Sequence, residues 1–434
     1  MLGILARVRI RWWIFGFMCA FAFFAYVQRQ VVTVAAEPMM PDLAFSQMQV
    51  GLLYWAFVAG YTCLQFPGGL YGQRVGARRA FIVISIVAFA AVLATPTAPM
   101  LIGGGVLFAV LMIAQFVLGV AQAPVFPVSA GVFESWFPAS RWSLVLGLQA
   151  MFMNFGSAVT PPLIANLMQS FGWRAALVWA SLPALVLVAL WAWYGRDTPR
   201  EHPGVSPAEL AELGDVTPVA GPARIDWPRI GRLLRNRDLV LITFSYLCMN
   251  YVFYLLSGWC FLYLVQQRHF TILESGWLAS LPPLGAALGS VVGGKLGSTL
   301  FIRFGPRWGF RLIPLIALPG AGVLLIVAVQ AANPYWAVAA LTAAYASVEL
   351  IEGPAWAAQM YIARADTMAA TGLLNTGGNL GGLIGIPIVA YLSGHGMWTT
   401  AFVVGSGFAL ASGLAWLAVD ATRRFNPEGV AGAG

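Results

Sequence analysis

The chain has 434 residues, 60% of them hydrophobic and only 9% charged, where a soluble domain carries roughly 25% charged residues. Its 24 Lys plus Arg and 16 Asp plus Glu cannot coat a water-soluble globule, and a mean hydropathy of +0.79 makes lipid the natural solvent. The net charge of +8 does not mark a nucleic-acid binder, because the basic residues fall in the gaps between apolar runs.

Lipid offers backbone groups no partners, so only helices or closed barrels can cross it. Here the apolar runs are continuous for about twenty residues and show no two-residue alternation, which predicts an all-α membrane protein. In chain order the runs cover 12–35, 48–70, 80–98, 103–128, 143–168 and 173–194, then 239–265, 275–297, 310–330, 335–359, 368–393 and 398–419. Twelve spans in two six-helix halves are expected, 1–194 and 237–434, joined by a polar linker over 195–236 that is rich in Pro, Glu and Arg. Arg7, Arg9 and Arg11 precede a first run too long for a signal-peptide core, and no small-residue cleavage site follows it. Cys19, Cys63, Cys248 and Cys260 all lie within apolar runs at spacings that suggest neither disulfides nor a metal site.

Every Lys and Arg except Arg29, Arg174 and Arg268 falls on one side of this topology, so both termini and the linker are expected in the cytoplasm. The halves also repeat. Gly51/Gly276, Gly60/Gly285, Gly68/Gly293, Gly69/Gly294 and Gly72/Gly297 are each 225 apart, as are Gly147/Gly372, Asn154/Asn379, Gly156/Gly381, Pro162/Pro387 and Trp173/Trp398. Parallel six-helix repeats are an architecture of secondary transporters, whose substrate site lies near the midplane between the repeats.

Charge at the bilayer centre costs at least about 2.5–3.5 kcal/mol, so ionisable residues within spans are candidates for function. Three fall there: Arg29 in the first span, and Glu349 and Glu352 in the tenth. A guanidinium presents a planar fork of donors that suits a carboxylate or phosphate, so Arg29 points to an anionic substrate; the alternative is a structural ion pair or a snorkelling end residue. Glu349 and Glu352 share a helix face, where two carboxylates cannot both ionise cheaply, and the pair is the natural place for a coupled proton. Among uncharged polar residues, Asn375 and Asn379 stand out because flanking glycines let a ligand or another backbone come close; many others are interhelical glue. No phosphate-loop spacing and no Ser/His/Asp constellation is present, so neither an enzyme nor a bound cofactor is expected.

Several motifs then occur in order: Tyr26-x-x-Arg29, Gly68-Gly-Leu-Tyr-Gly-Gln-Arg-Val-Gly-Ala-Arg-Arg79, Gly119-Val-Ala-Gln-Ala-Pro-Val-Phe-Pro127, Ser135-Trp-Phe-Pro138 and Arg196-Asp-Thr-Pro-Arg-Glu-His-Pro-Gly-Val205. Together with the Asn375–Gly382 segment they resemble the anion:cation symporter family of the major facilitator superfamily, over essentially the whole chain. The resemblance implies transport of small organic anions, commonly with protons or sodium. It implies an anion contact at Arg29 near Tyr26, and a cavity lined by Tyr61 and Gln65. Family members commonly carry Asp and Glu where this chain has Gln28 and Gln122, and the superfamily's gating loops expect Asp where it has Gln73 and Ser298. The usual titrating carboxylates are therefore absent, and the cytoplasmic gate formed by Gln73, Arg74, Arg78, Ser298 and Arg303 lacks its carboxylate latch. Gln122-Ala-Pro resembles Glu352-Gly-Pro at an offset of 230, which a loop about five residues longer after Gly297 would explain. Glu352 is then the pseudo-symmetric mate of the lost carboxylate.

The reading is a transporter of a small carboxylate or sugar acid, with Arg29, Tyr26, Tyr61, Gln65, Gln122, Asn375 and Asn379 at the substrate and Glu352 with Glu349 at the proton. Its partners are the anion, protons and the lipid bilayer, and it is expected as a monomer in the plasma membrane, which is the inner membrane if the cell is a Gram-negative bacterium. Uncoupled anion uniport or exchange, and a transporter-like sensor, are the alternatives; cationic-drug efflux fits poorly with a central Arg.

Overall fold

A computed structural model describes residues 9–45, 47–213, 227–270 and 278–425. Gly276, Arg7 and Arg224 lie outside these residues, and all regular structure within them is helical. The first half contains α1 (Ile10–Val34), α2 (Ala36–Leu43), α3 (Gln47–Val75), α4 (Ala77–Thr97), α5 (Gly104–Gln122), α6 (Val125–Trp136) and α7 (Ala139–Tyr194). Two short linker helices follow, α8 (Pro207–Leu213) and α9 (Trp227–Leu234). The rest comprises α10 (Arg237–Gln266), α11 (Leu281–Gln330), α12 (Pro334–Glu349), α13 (Glu352–Ala363), α14 (Thr367–Gly394) and α15 (Trp398–Ala415). The described residues include nine stretches long and apolar enough to cross a membrane, one of which, Leu281–Gln330, is folded back at Gly305. The many-span helical architecture is as expected; the figure of twelve rests on the sequence.

Two compact units divide the chain: residues 1–137 with 152–224, and residues 138–151 with 225–434. The first turns of α7 therefore count with the second unit, although the hydropathy pattern reads 1–194 as one half.

Reversals between consecutive helices use glycine where the chain needs a left-handed residue, as at Gly76 (φ 85°) before α4 and Gly305 (φ 72°) inside α11. Packing within each unit depends on glycines that let backbones touch, which is how helices associate when lipid supplies no hydrophobic drive. A Cβ on Gly60 would lie 2.3 Å from the carbonyl oxygen of Phe116, and one on Gly289 would lie 2.2 Å from that of Ala346. Likewise Cβ atoms on Gly68 and Gly297 would each lie 2.9 Å from a proline, Pro124 and Pro354 respectively. The equivalent pairs Gly60/Gly289, Gly68/Gly297 and Gly76/Gly305 are thus 229 apart, not 225. The sequence register in this region was one helical turn off, because glycines at 285, 289, 293 and 297 recur every four residues and a slip of one turn still superposes Gly on Gly. The corrected register comes within one residue of the offset of 230 between Gln122 and Glu352, and it places four of the five extra residues before Gly289 instead of after Gly297. At α7 and α14 the offset of 225 holds, with Gly156 against the Phe23 carbonyl and Gly381 against that of Leu247.

Gly119 shows what such contacts are worth. Its missing Cβ would sit 2.1 Å from the carbonyl oxygen of Phe57 and 2.7 Å from the nitrogen of Tyr61, both backbone atoms of α3. Gly119→Val is expected to push α5 off α3 at a cost of about 1–3 kcal/mol or more. Gly258→Ala, which meets nothing within 4 Å, should leave the protein unchanged. Melting temperatures in detergent test the contrast, and equal values for both variants would mean that the close approach is not structural.

Candidate functional site

Arg29 lies in the last third of α1, and three aromatic rings surround it. Its guanidinium carbon is 4.3 Å from the ring centre of Tyr26, 4.4 Å from that of Tyr61 and 4.9 Å from that of Phe57. Tyr26 precedes Arg29 by three residues on the same helical face, while Phe57 and Tyr61 are one turn apart on α3 and stack on each other at 5.8 Å. Gly119 fixes this wall by bringing α5 onto the same turn of α3. Each ring face is worth about 0.5–2 kcal/mol to a cation, so the cage stabilises the charge while its rings cover the guanidinium faces. What an anion can approach is the planar edge, where the N–H groups point. Tyr26 and Tyr61 are therefore next to Arg29 as expected, and Phe57 completes a cage that the sequence reading did not include. Its signal was available in the spacing Phe57-x-x-x-Tyr61.

Gln65, one turn beyond Tyr61, is fully buried at 0% exposure. Gln28 and Gln122 meet across α1 and α5, where Gln122 Nε2 donates to Gln28 Oε1 at 3.3 Å; both are buried, at 4% and 2% exposure. The two positions that family resemblance fills with carboxylates thus form a neutral amide pair. Amides do not titrate, so this part of the first unit holds the same charge at every physiological pH.

In the second unit the span carrying the two glutamates is interrupted between them: α12 ends at Glu349 and α13 begins at Glu352. Pro354 has no N–H to give the Leu350 carbonyl, which instead packs on Gly293, where a Cβ would lie 1.9 Å away. Glu349 is fully buried, whereas Glu352 keeps partial exposure. Glu352 Oε1 accepts the hydroxyl of Tyr246 at 2.7 Å, and Tyr246 Oη in turn accepts the indole N–H of Trp356 at 3.1 Å. Asn379 joins α10 to α14, and Asn375 lies one turn before it in α14. Tyr254 donates to Asn379 Oδ1 at 2.8 Å, and Asn379 Nδ2 donates to the Asn375 carbonyl at 2.8 Å. Gly378, between them, and Gly382, just beyond, receive side chains of α10, since Cβ atoms there would collide with Tyr246 and Tyr254 respectively.

At the linker end, carboxylates enter from positions outside the gating motif. Asp197 accepts the backbone N–H of Arg78 at 2.7 Å and so caps α4, while the Arg78 side chain donates to the Ala192 carbonyl. Burial raises the proton affinity of Asp197, and the bonds from the α4 terminus partly offset this. Asp420 stands 3.5 Å from Arg307 in the second unit and accepts the hydroxyl of Thr422 at 2.7 Å. Arg74 and Arg303 are exposed, with Arg303 over the Phe304 ring at 5.2 Å, and Gln73 is half-buried. Ser298 accepts the backbone N–H of Leu144 at 3.0 Å. Asp197 and Asp420, each just beyond the last helix of its half, put carboxylates beside Arg78 and Arg307, whereas Gln73 and Ser298 supply none.

The linker folds back on the first unit. Glu209 of α8 accepts the N–H groups of Ile10 at 3.2 Å and Arg11 at 3.1 Å, capping α1, and Glu212 pairs with Arg9 and Arg11. His202 lies against Tyr194 and Trp136, and its Nδ1 accepts the N–H of Gly204 at 3.1 Å. Burial, followed by the charge of Arg196, lowers the proton affinity of His202, with Glu209 acting weakly in the other direction. A folded-state value below the unfolded one contributes stability that is present above about pH 6.5 and is lost as pH falls through the folded value. Linker cleavage by a protease is therefore expected to accelerate as pH falls below about 6.5, and His202→Gln should flatten that dependence. Wild-type rates that do not change with pH would exclude His202 as the sensitive group.

All regular structure among the described residues is helical, with many helices apolar enough to cross a membrane, and the family and curated relatives that match are transporters rather than enzymes. The family model of the Major Facilitator Superfamily matches residues 18–364 and 263–433, and the chain belongs to that superfamily. Among curated relatives, "Probable sulfoacetate transporter SauU" of Cupriavidus necator is 27% identical over 390 residues, covering 89% of this chain and 88% of its own. "Probable galactarate/D-glucarate transporter GudP" of Bacillus subtilis is 28% identical over 431 residues, 95% and 92% of the two chains. "Hexuronate transporter" of Bacillus subtilis is 22% identical over 399 residues, 90% of each. Among solved structures, the fucose:proton symporter FucP of E. coli aligns with a TM-score of 0.68 at 16% identity, over 94% of this chain and 99% of that one. The proton:xylose symporter XylE bound to 6-bromo-6-deoxy-D-glucose aligns with a TM-score of 0.73 at 14% identity, over 93% and 96%. At those identities the likeness is one of fold.

Proposed function

We propose that this chain is a secondary active transporter of a small organic anion, a carboxylate such as a sugar acid or a close sulfonate analogue, working by alternating access in the plasma membrane with both termini cytoplasmic. The observation that carries the reading is the Arg29 cage: a guanidinium held by three rings inside a span is costly to the bundle and useful to an anion. Relatives named for sulfoacetate, galactarate/glucarate and hexuronate transport support the same substrate class. Arg29 contacts the anion, Tyr26 and Tyr61 shape its approach, and Gln65, Gln122, Asn375 and Asn379 are the further substrate contacts. Glu352, beside Glu349, carries the coupled proton. The linker-end gate is formed by Gln73, Arg74, Arg78, Ser298 and Arg303.

The Gln28–Gln122 amide pair favours a second reading, anion uniport or exchange without a proton. Uptake of glucarate, hexuronate or sulfoacetate into proteoliposomes, with and without an imposed pH gradient, separates the two. Accumulation that follows the gradient supports coupling, equilibration that ignores it supports the second reading, and no uptake of any anion overturns the substrate class.

A further inference from the structure

Assigning a proton to Glu352 does not by itself say which of its oxygens takes it. The surroundings of the carboxyl are asymmetric. Tyr246, from α10, donates its hydroxyl to Oε1 at 2.7 Å. Trp356, one turn beyond Glu352 in α13, places its indole nitrogen 3.1 Å from the same hydroxyl oxygen. An indole nitrogen can only donate, so the Tyr246 oxygen accepts from Trp356 and its single hydrogen is left for Glu352. The chain of donors runs from Trp356 to Tyr246 to Oε1, and the Trp356 indole also bonds the Glu352 carboxyl.

Tyr246 has little freedom to leave this arrangement. It is 6% exposed and Trp356 is 5% exposed, and their rings meet edge to face at 6.2 Å. A Cβ on Gly378 would lie 2.5 Å from the Tyr246 ring, so the glycine provides the space into which the tyrosine fits. Glu352 itself is only partly buried, so its carboxyl is not sealed from solvent. Apart from Tyr246, the titratable group nearest in the chain is Glu349, on the other side of the helix break.

We propose that Tyr246 and Trp356 are positioning residues that hold Glu352 Oε1 as a standing hydrogen-bond acceptor, so that the transported proton joins and leaves the carboxyl at Oε2. The inference rests on Glu352 as the proton carrier. On protonation a lone pair of Oε2 takes a proton from water, Oε1 becomes the carbonyl oxygen, and Tyr246 keeps its own hydrogen throughout. On release the proton returns to water from Oε2 and the carboxylate stays bound through Oε1.

Infrared difference spectra of the full-length protein in liposomes, between acidic and alkaline buffer, test this. The wild type should show a carboxyl C=O band that Glu352→Gln removes. In Tyr246→Phe, which keeps the ring packing, the band should move to higher frequency because the carbonyl has lost its donor, while anion counterflow continues. In Trp356→Phe the hydroxyl is free to turn, and the band should split between bonded and free positions. A Glu352 band that stays in place in Tyr246→Phe and in Trp356→Phe overturns the proposal while leaving Glu352 as the carrier. Absence of any band that depends on Glu352 overturns the carrier assignment, and this proposal with it. Should Tyr246→Phe fail to fold, the Trp356→Phe spectrum decides alone.

Discussion

Arg29→Gln is expected to lose anion binding while remaining folded. Glutamine keeps a polar tip of similar reach but no charge, and the three rings that cover the guanidinium faces can still pack around it. Removing a charged donor from a buried anion contact costs about 2–5 kcal/mol, which is roughly thirty- to several-thousand-fold in Kd. Arg29→Lys makes the argument sharper. Lysine restores the charge but not the planar fork or the stacking surface, so it should recover part of the affinity and no more. Thermal-shift titrations of the purified variants with glucarate and sulfoacetate measure both effects. An Arg29→Gln protein that melts normally and binds as wild type does would remove Arg29 from the site.

Glu352→Gln should uncouple transport without abolishing it. The amide still accepts from Tyr246 through its oxygen, so the local bonding survives, but it cannot gain or lose a proton. Counterflow exchange of anion across the liposome membrane should persist near the wild-type rate, whereas accumulation driven by a pH gradient should fall to equilibration. The placement of Gln28 and Gln122 makes this the decisive carboxyl, because the corresponding pair in the first unit is already amide on amide. Retained uphill uptake in Glu352→Gln would show that the proton, if there is one, travels elsewhere.

The hydropathy pattern made the helical architecture legible, and Arg29 and Glu352 stood out because charge inside a span is expensive. The partners of these residues were harder to read. Phe57 and Tyr61 reach Arg29 of α1 from α3, a contact between helices that sequence spacing does not report. Tyr246 reaches Glu352 from a helix more than a hundred residues away in the chain, through a gap left by Gly378. Asp197 was counted as linker, since nothing in its flanking residues says that it turns back to cap α4. The repeat register erred where one-turn glycine spacing makes two alignments equally good, and only backbone contacts distinguish them.

The amide pair of Gln28 and Gln122 also has an electrical consequence. With those two positions unable to titrate, Glu352 is left as the proposed carrier of a single proton for each anion. A monovalent substrate such as a hexuronate would then cross with no net charge, and the membrane potential would neither help nor hinder it. A divalent one such as sulfoacetate or glucarate would move one negative charge, for which a field of 100 mV is worth about 2.3 kcal/mol. Currents recorded on supported membranes would therefore sort candidate substrates by valence, silent for monoanions and of one sign for dianions, so the missing carboxylates turn the protein into a reporter of its substrate's charge.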